Sequence, residues 1–202
     1  YLVVPDAAGF AEHVDAPFQQ FSVEHINYFT PASMRTLLAA AELEVVVERT
    51  SVLRQSDDSD GPILEVLCRR SDGQPSMKVD ASGVESLRRY IATCTELEER
   101  IREEISRLAD GQQPMYVWGT GTNALHLLVA SRLRECNIVA FLDSNPHYVG
   151  RELAGRPVLA PSDLAHVDAP ILVASAVSQT AIAQAARQRF GPDVPLILMY
   201  RR

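Results

Sequence analysis

"MYVWGTGTNALHLL", residues 115–128, decides the fold class. Met115–Trp118 is a short apolar run that reads as a buried strand. It leads into Gly119-Thr120-Gly121-Thr122-Asn123-Ala124, which fits the spacing G-x-G-x-x-A at the opening of a helix. Each fixed position has a physical use. Gly119 permits a tight turn, Gly121 lets the backbone approach a phosphate, and Ala124 keeps helix and strand close. The helix N-terminus would face the anion. Asp143 ends the next apolar run, about twenty residues on, where a carboxylate could bind a ribose hydroxyl. The competing reading is that the glycines serve chain reversal alone, with Asp143 and Asn145 forming a turn.

Downstream the same texture continues. "IVAFLDS" (138–144), "ILVASAV" (171–177) and "PLILMY" (195–200) read as strands, and "NALHLLVASRLREC" (123–136) and "QTAIAQAARQRF" (179–190) as helices. Short apolar strands alternating with helices predict an α/β domain over residues 112–202, its parallel sheet covered on both faces. Ligands of such sheets bind outside the carboxyl ends of the strands. Three ends gather here, at Gly119–Asn123, Asp143–Asn145 and Ser175–Ser178. Gly119, Gly121, Thr122, Asn123, Asp143, Asn145 and Ser175 are therefore the candidate ligand contacts. A non-catalytic nucleotide or NAD(P) module is one use of such a crevice, although the rest of a dehydrogenase is not among these residues. His126 falls inside an apolar helix, and His147 and His166 in polar loops, where structural or solvated histidines are common.

Upstream, residues 80–110 carry Val84, Leu87, Ile91, Cys94, Ile101, Ile105 and Leu108 at helical spacing, interrupted by Glu98. An amphipathic connector over residues 76–111, lying on its own domains, is favoured over a dimerising coiled coil, because the seam is short and broken. "SDGQPS" (71–76) marks a boundary. Before it come a strand at Tyr1–Pro5 and a helix opened by Pro31 with Met34, Leu37, Leu38 and Ala41 on one face. "LEVVVERTSVL" (43–53) and "PILEVLCRR" (62–70), joined by the polar turn "QSDDSDG" (55–61), predict a hairpin. Residues 1–75 thus read as strand, helix and antiparallel strand pair.

The 202 residues suffice for one large domain or two small ones, and 47% hydrophobic with 22% charged residues predicts a packed core. A net charge of −7 without a basic stripe argues against nucleic-acid binding. No apolar run is long enough to span a membrane. Cys68, Cys94 and Cys136 lie far apart without CxxC spacing, which suits a reducing cytoplasm and offers no zinc site in this chain. The chain starts within a strand-like pattern and without methionine, and reads as the C-terminal portion of a longer protein.

Glu24 and His25 set an acid beside a base in "FSVEHINYFT" (21–30). A histidine near its ordinary titration range takes a proton at neutral pH, and a carboxylate can orient it. Neighbours in an extended segment point to opposite sides, so a structural histidine is the competing reading.

The stretch "PDAAGFAEHVDAPFQQFSVEHINYFTPASMRTLLAAAELEVV" resembles the later part of a class I S-adenosylmethionine-dependent methyltransferase of the sugar C-methyltransferase type. "VWGTGTNALHLL", "IVAFLDSNPHYVG" and "GRPVLAPSDL" resemble the Rossmann-like C-terminal domain appended to those enzymes. The resemblance covers nearly the whole chain. It implies an α/β protein with a partial methyltransferase sheet, a long connecting helix and a Rossmann-like domain. It also implies a nucleotide-linked keto-sugar as substrate. The charge, hydropathy and cysteine readings above add the expectation of a cytoplasmic protein without nucleic-acid or membrane partner, a monomer or weak dimer. By resemblance His25 matches the base that forms the enolate and Glu24 its partner near the sugar, with Asn27 and Tyr28 among the substrate contacts. The methyl of S-adenosylmethionine is then transferred to the carbon. The donor's glycine-rich loop and a cysteine-rich zinc module belong to the family's earlier half and not to these residues, so this chain alone is expected to be inactive. Relatives often carry tyrosine where Ser22 stands, which puts the sugar in question.

Overall fold

A computed structural model describes residues 1–21, 26–54, 56–72 and 80–200. They group into two compact units: Tyr1–Gln55 with Ser59–Leu97, and Ser56–Asp58 with Glu98–Arg202. The chain is an α/β protein, with an antiparallel sheet in the first unit and a mixed sheet dominated by parallel strands in the second.

The first unit contains β1 (Leu2–Pro5), α1 (Pro31–Ala40), β2 (Leu43–Arg54) and β3 (Asp60–Arg70). The last of these strands lies between the other two, in the order β1-β3-β2, and pairs antiparallel with both. Consequently β1 and β2 run parallel to each other without touching. Side chains alternate across a strand. Leu64 and Val66 therefore share one face, where Met34 and Leu38 of α1 close a core with Val4, Val45 and Cys68. The opposite face presents Val3, Val47 and Leu67, each about half exposed.

Local chemistry fixes the start of α1. Pro31 stands in the first turn, where a missing N–H is harmless. The Thr30 hydroxyl accepts from the Ser33 N–H at 3.1 Å, and the Ser33 hydroxyl accepts from the Thr30 N–H at 2.8 Å, a reciprocal cap. Thr30 also donates to the Asp80 carboxylate, which accepts from the Gly83 N–H at 2.9 Å. The Thr30 hydroxyl, then the Gly83 N–H, hold this carboxyl below its ordinary range.

Helix α2 spans Ala81–Gly111, shifted by one residue from the run 80–110 read from sequence. Its buried line keeps Cys94, Ile101 and Ile105 of the expected stripe but departs from it elsewhere: Val84 and Ile91 are half exposed, whereas Ser86 and Tyr90 are buried. The small Ser86 side chain donates to the Ala8 carbonyl at 2.5 Å, and Tyr90 supplies the bulk against Ala7 and Phe10. Ile101 and Ile105 are buried within the chain itself, not offered as a coiled-coil seam. Glu98 interrupts the stripe because it meets His126 Nε2 at 2.8 Å and Arg102 at 3.5 Å.

The second unit contains β4 (Met115–Trp118), α3 (Thr122–Ala130), β5 (Ile138–Leu142), β6 (Glu152–Leu153), β7 (Arg156–Leu159), β8 (Ile171–Val173), α4 (Gln179–Phe190) and β9 (Leu196–Leu198). Its sheet has the order β6-β7-β5-β4-β8-β9, parallel except for the short edge strand β6. Counted along the chain, the parallel strands stand in the order 3-2-1-4-5, which reverses between β4 and β8; this is the doubly wound arrangement. Tyr116, Trp118, Leu142 and Ile171 form a core with Ala186, Ile182 and Phe190 of α4. The alternate residues Val117, Phe141 and Leu172 are also buried, as a sheet covered on both faces requires.

Several boundaries differ from the sequence reading: β5, β8 and β9 end at Leu142, Val173 and Leu198, short of the ends read at 144, 177 and 200. Helix α3 ends at Ala130, where Ser131 turns extended and its hydroxyl caps a 3-10 turn over Arg132–Glu135. The third parallel strand, β7, was not foreseen, since "RPVL" is short and carries a proline.

Candidate functional site

The end of β4 turns at Gly119, whose φ of +112° is strained for any residue with a side chain. The sequence reading of a tight turn therefore holds here. Gly121 is different: its φ is −77°, and a Cβ built there meets no heavy atom within 4 Å. The fold itself does not demand glycine at 121. Gly121 caps α3 with no side chain to offer, and the exposed Thr122 and half-buried Asn123 form the first turn. Such a turn presents orphan N–H groups suited to an anion. Ala124 is fully buried, in keeping with close helix–strand packing.

Asp143 joins two of the three strand ends. Its Oδ2 accepts from the Thr120 N–H at 3.0 Å and the Thr120 hydroxyl at 2.5 Å, and its Oδ1 accepts from the Asn145 N–H at 2.8 Å. The turn through Asp143 and Asn145 thus exists. It does not exhaust the carboxylate, whose two oxygens offer about four acceptor sites. Thr120 was missed from sequence as one of the motif's variable positions; a threonine beside an invariant-geometry turn is no signal until its partner 23 positions away is known. Ser175 follows β8 at the third end and is half buried, near Gly119.

In the first unit Asp6 follows β1 directly and is 4% exposed. It accepts from the Ala8 N–H at 2.9 Å, opening a 3-10 turn over Ala7–Glu12. Asp6 pairs with Pro62 through its N–H and forms a bridge with Phe29, so the connection over residues 6–30 begins and ends at one point. Burial, and then the charge of Glu48, push the Asp6 carboxyl above its ordinary range. A carboxyl raised in the fold keeps its proton longer there than in the open chain. Its contribution is therefore favourable only at low pH and declines as pH rises through the shifted range. Asp6→Asn, which keeps the accepting oxygen, should raise stability at pH 7 by about 0.5–1 kcal/mol. The gain should vanish near pH 3 in urea titrations, and a loss of stability at pH 7 would show that the charge itself is needed.

Within the connection, Phe10, Phe21, Tyr28 and Tyr90 form an aromatic cluster. Ring centroids lie 5.1 Å apart for Phe21–Tyr90, 5.3 Å for Phe21–Tyr28 and 5.5 Å for Phe10–Tyr90. Tyr28 is half buried in this cluster, whereas Asn27 is exposed. Glu24 and His25, with Ser22, lie outside the described residues. Phe21 and Tyr28, which stand on either side of those positions in the sequence, touch each other.

Cys68, Cys94 and Cys136 are free thiols. Among the described residues no cluster of His, Cys, Asp and Glu could hold a metal ion, and no helix is long and apolar enough to cross a membrane. No protein-family model matches the chain, and no curated protein matches it significantly.

Proposed function

We propose that the chain is the C-terminal part of an S-adenosylmethionine-dependent C-methyltransferase acting on a nucleotide-linked keto-sugar. The observation that carries this reading is the order of parts in the first unit. A strand ending at Pro5-Asp6 leads through the connection over residues 6–30 to a capped helix and then to an antiparallel strand pair. That is the order the sequence resemblance implies, and a doubly wound unit follows it in the same chain. In this reading His25 removes the proton beside the keto group, Glu24 orients it, and Asn27 and Tyr28 border the sugar. The second unit, taken by itself, offers a nucleotide crevice, with Gly121 and the first turn of α3 against phosphate and Asp143 towards ribose.

S-adenosylmethionine supplies the methyl group. The described glycines of the first unit do not form a loop for it: Gly61 is buried within β3, and a Cβ on Gly9 would lie 2.8 Å from Pro62. The donor site belongs to the part of the family outside these residues, and no step on the donor is assigned to this chain.

A second reading, a nucleotide or NAD(P)-binding module without chemistry, draws on the acid at the end of the second parallel strand, Asp143. Calorimetric titration with a nucleoside-diphosphate sugar and with NAD+ separates the two. The first ligand should bind and the second should not. Gly121→Val should weaken sugar-nucleotide binding by at least about tenfold. Its stability should be nearly unchanged, since the backbone at 121 is extended and open. Unchanged affinity in that variant would remove the crevice from the site, and preference for NAD+ would favour the second reading.

A further inference from the structure

Strand β9 ends at Leu198, which stands opposite Val173 of its parallel neighbour β8. Two residues beyond these come Tyr200 and Ser175, so Tyr200 leaves the sheet at the same end as Ser175. That is the carboxyl end of a parallel, doubly wound sheet, where such sheets take ligands. Gln179, the first residue of α4, holds the backbone there. Its amide nitrogen donates to the Tyr200 carbonyl, and its Oε1 accepts from the Tyr200 N–H at 3.0 Å. This tie fixes Tyr200 beside the third strand end before any ligand binds.

Tyr200 is only 6% exposed. Among the described residues its hydroxyl has no hydrogen-bond partner, yet the oxygen is not sealed from solvent. A buried tyrosine hydroxyl ordinarily finds a partner, and a ring wanted for bulk alone would be served by phenylalanine. Burial pushes this phenol up to about 12, so it keeps its proton and can donate.

We infer that Tyr200 is a ligand contact of the second unit, its hydroxyl donating to an uncharged hydroxyl or carbonyl oxygen of the bound molecule. The inference rests on the reading of this unit as a nucleotide crevice, and it gives the ligand a direction. In the sheet order β5-β4-β8-β9, Asp143 follows β5 and the glycine loop follows β4. A nucleotide with its ribose at Asp143 and its phosphates at α3 extends its remaining part across β8 towards β9. Charge selects a neutral group there. Within the same unit Asp58 sets its carboxylate on the first turn of α4, accepting from the Thr180 N–H at 2.6 Å and the Thr180 hydroxyl at 2.5 Å. A further phosphate would be repelled by that charge, whereas a sugar hydroxyl or keto oxygen is not.

The test is calorimetric titration of this chain with two probes, UDP-glucose and UDP. The wild type should bind UDP-glucose at least about threefold more tightly than UDP, the scale of one neutral hydrogen bond. Tyr200→Phe should lose that margin for UDP-glucose and bind UDP as the wild type does. Its stability in urea should be unchanged, because the hydroxyl has no partner in the described fold. Wild-type affinity of Tyr200→Phe for UDP-glucose overturns the assignment. So does an equal loss for both probes, or a destabilised variant, which would give the hydroxyl a structural partner. If instead neither probe binds the wild type, or Gly121→Val leaves both affinities unchanged, the crevice itself fails and the role of Tyr200 with it.

Discussion

On the methyltransferase reading proposed above, His25→Ala should slow methyl transfer by roughly two to four decades, the range for removing a positioned acid–base group. The measurement belongs in the protein that carries the whole catalytic domain, with a nucleotide-linked keto-sugar as acceptor. The chemistry explains the size. A proton beside a carbonyl is acidic enough for neutral imidazole only when the developing oxyanion is stabilised, so catalysis needs base and donor groups together. Removing the base leaves the stabilising groups in place, which is why activity should fall without vanishing. A second readout separates base from bystander. The proton beside the keto group should exchange with solvent deuterium in the wild type without methyl donor, and this exchange should stop in His25→Ala. Exchange that persists at the wild-type rate would move the base elsewhere.

Tyr90→Ala should cost the first unit about 3–5 kcal/mol, the usual range for emptying a buried aromatic site. Tyr90 is fully buried and touches both Phe10 and Phe21, and its hydroxyl oxygen accepts from the Gln20 N–H at 3.0 Å. Burial pushes the phenol above its ordinary range, so it stays neutral across the working pH scale. Tyr90→Phe keeps the ring and removes the acceptor, and should cost about 1–3 kcal/mol for the stranded N–H. Denaturant unfolding of both variants apportions ring and hydroxyl. A loss below about 1 kcal/mol in Tyr90→Ala would mean the site collapses around the deletion.

Local signals in the sequence carried most of the fold. The bounds of α4 matched its reading, Gln179–Phe190, because Gly191 ends it with a φ of +105° that other residues resist. The β2–β3 hairpin was legible from two β-branched runs and a polar turn. What escaped depends on distant partners. The strand β7 exists because Val158 and Leu159 find Phe141 and Leu142, and nothing within "RPVL" announces that. The buried line of α2 runs through Ser86 and Tyr90 because Ala8 and Phe10 await them, whereas hydrophobicity alone selected Val84 and Ile91. The candidate site divides the same way. The glycine loop showed itself by spacing, but Thr120–Asp143 is a contact across 23 positions.

The bonds from Asp143 to Thr120 and Asn145 have a thermodynamic consequence. The loops after the first and second parallel strands are tied to each other on folding, so a ligand of the proposed crevice would not have to order them on association. A ligand entering between them meets donors and acceptors already in position. Association there should resemble docking onto a set surface, with differences among ligands expressed in how slowly they leave.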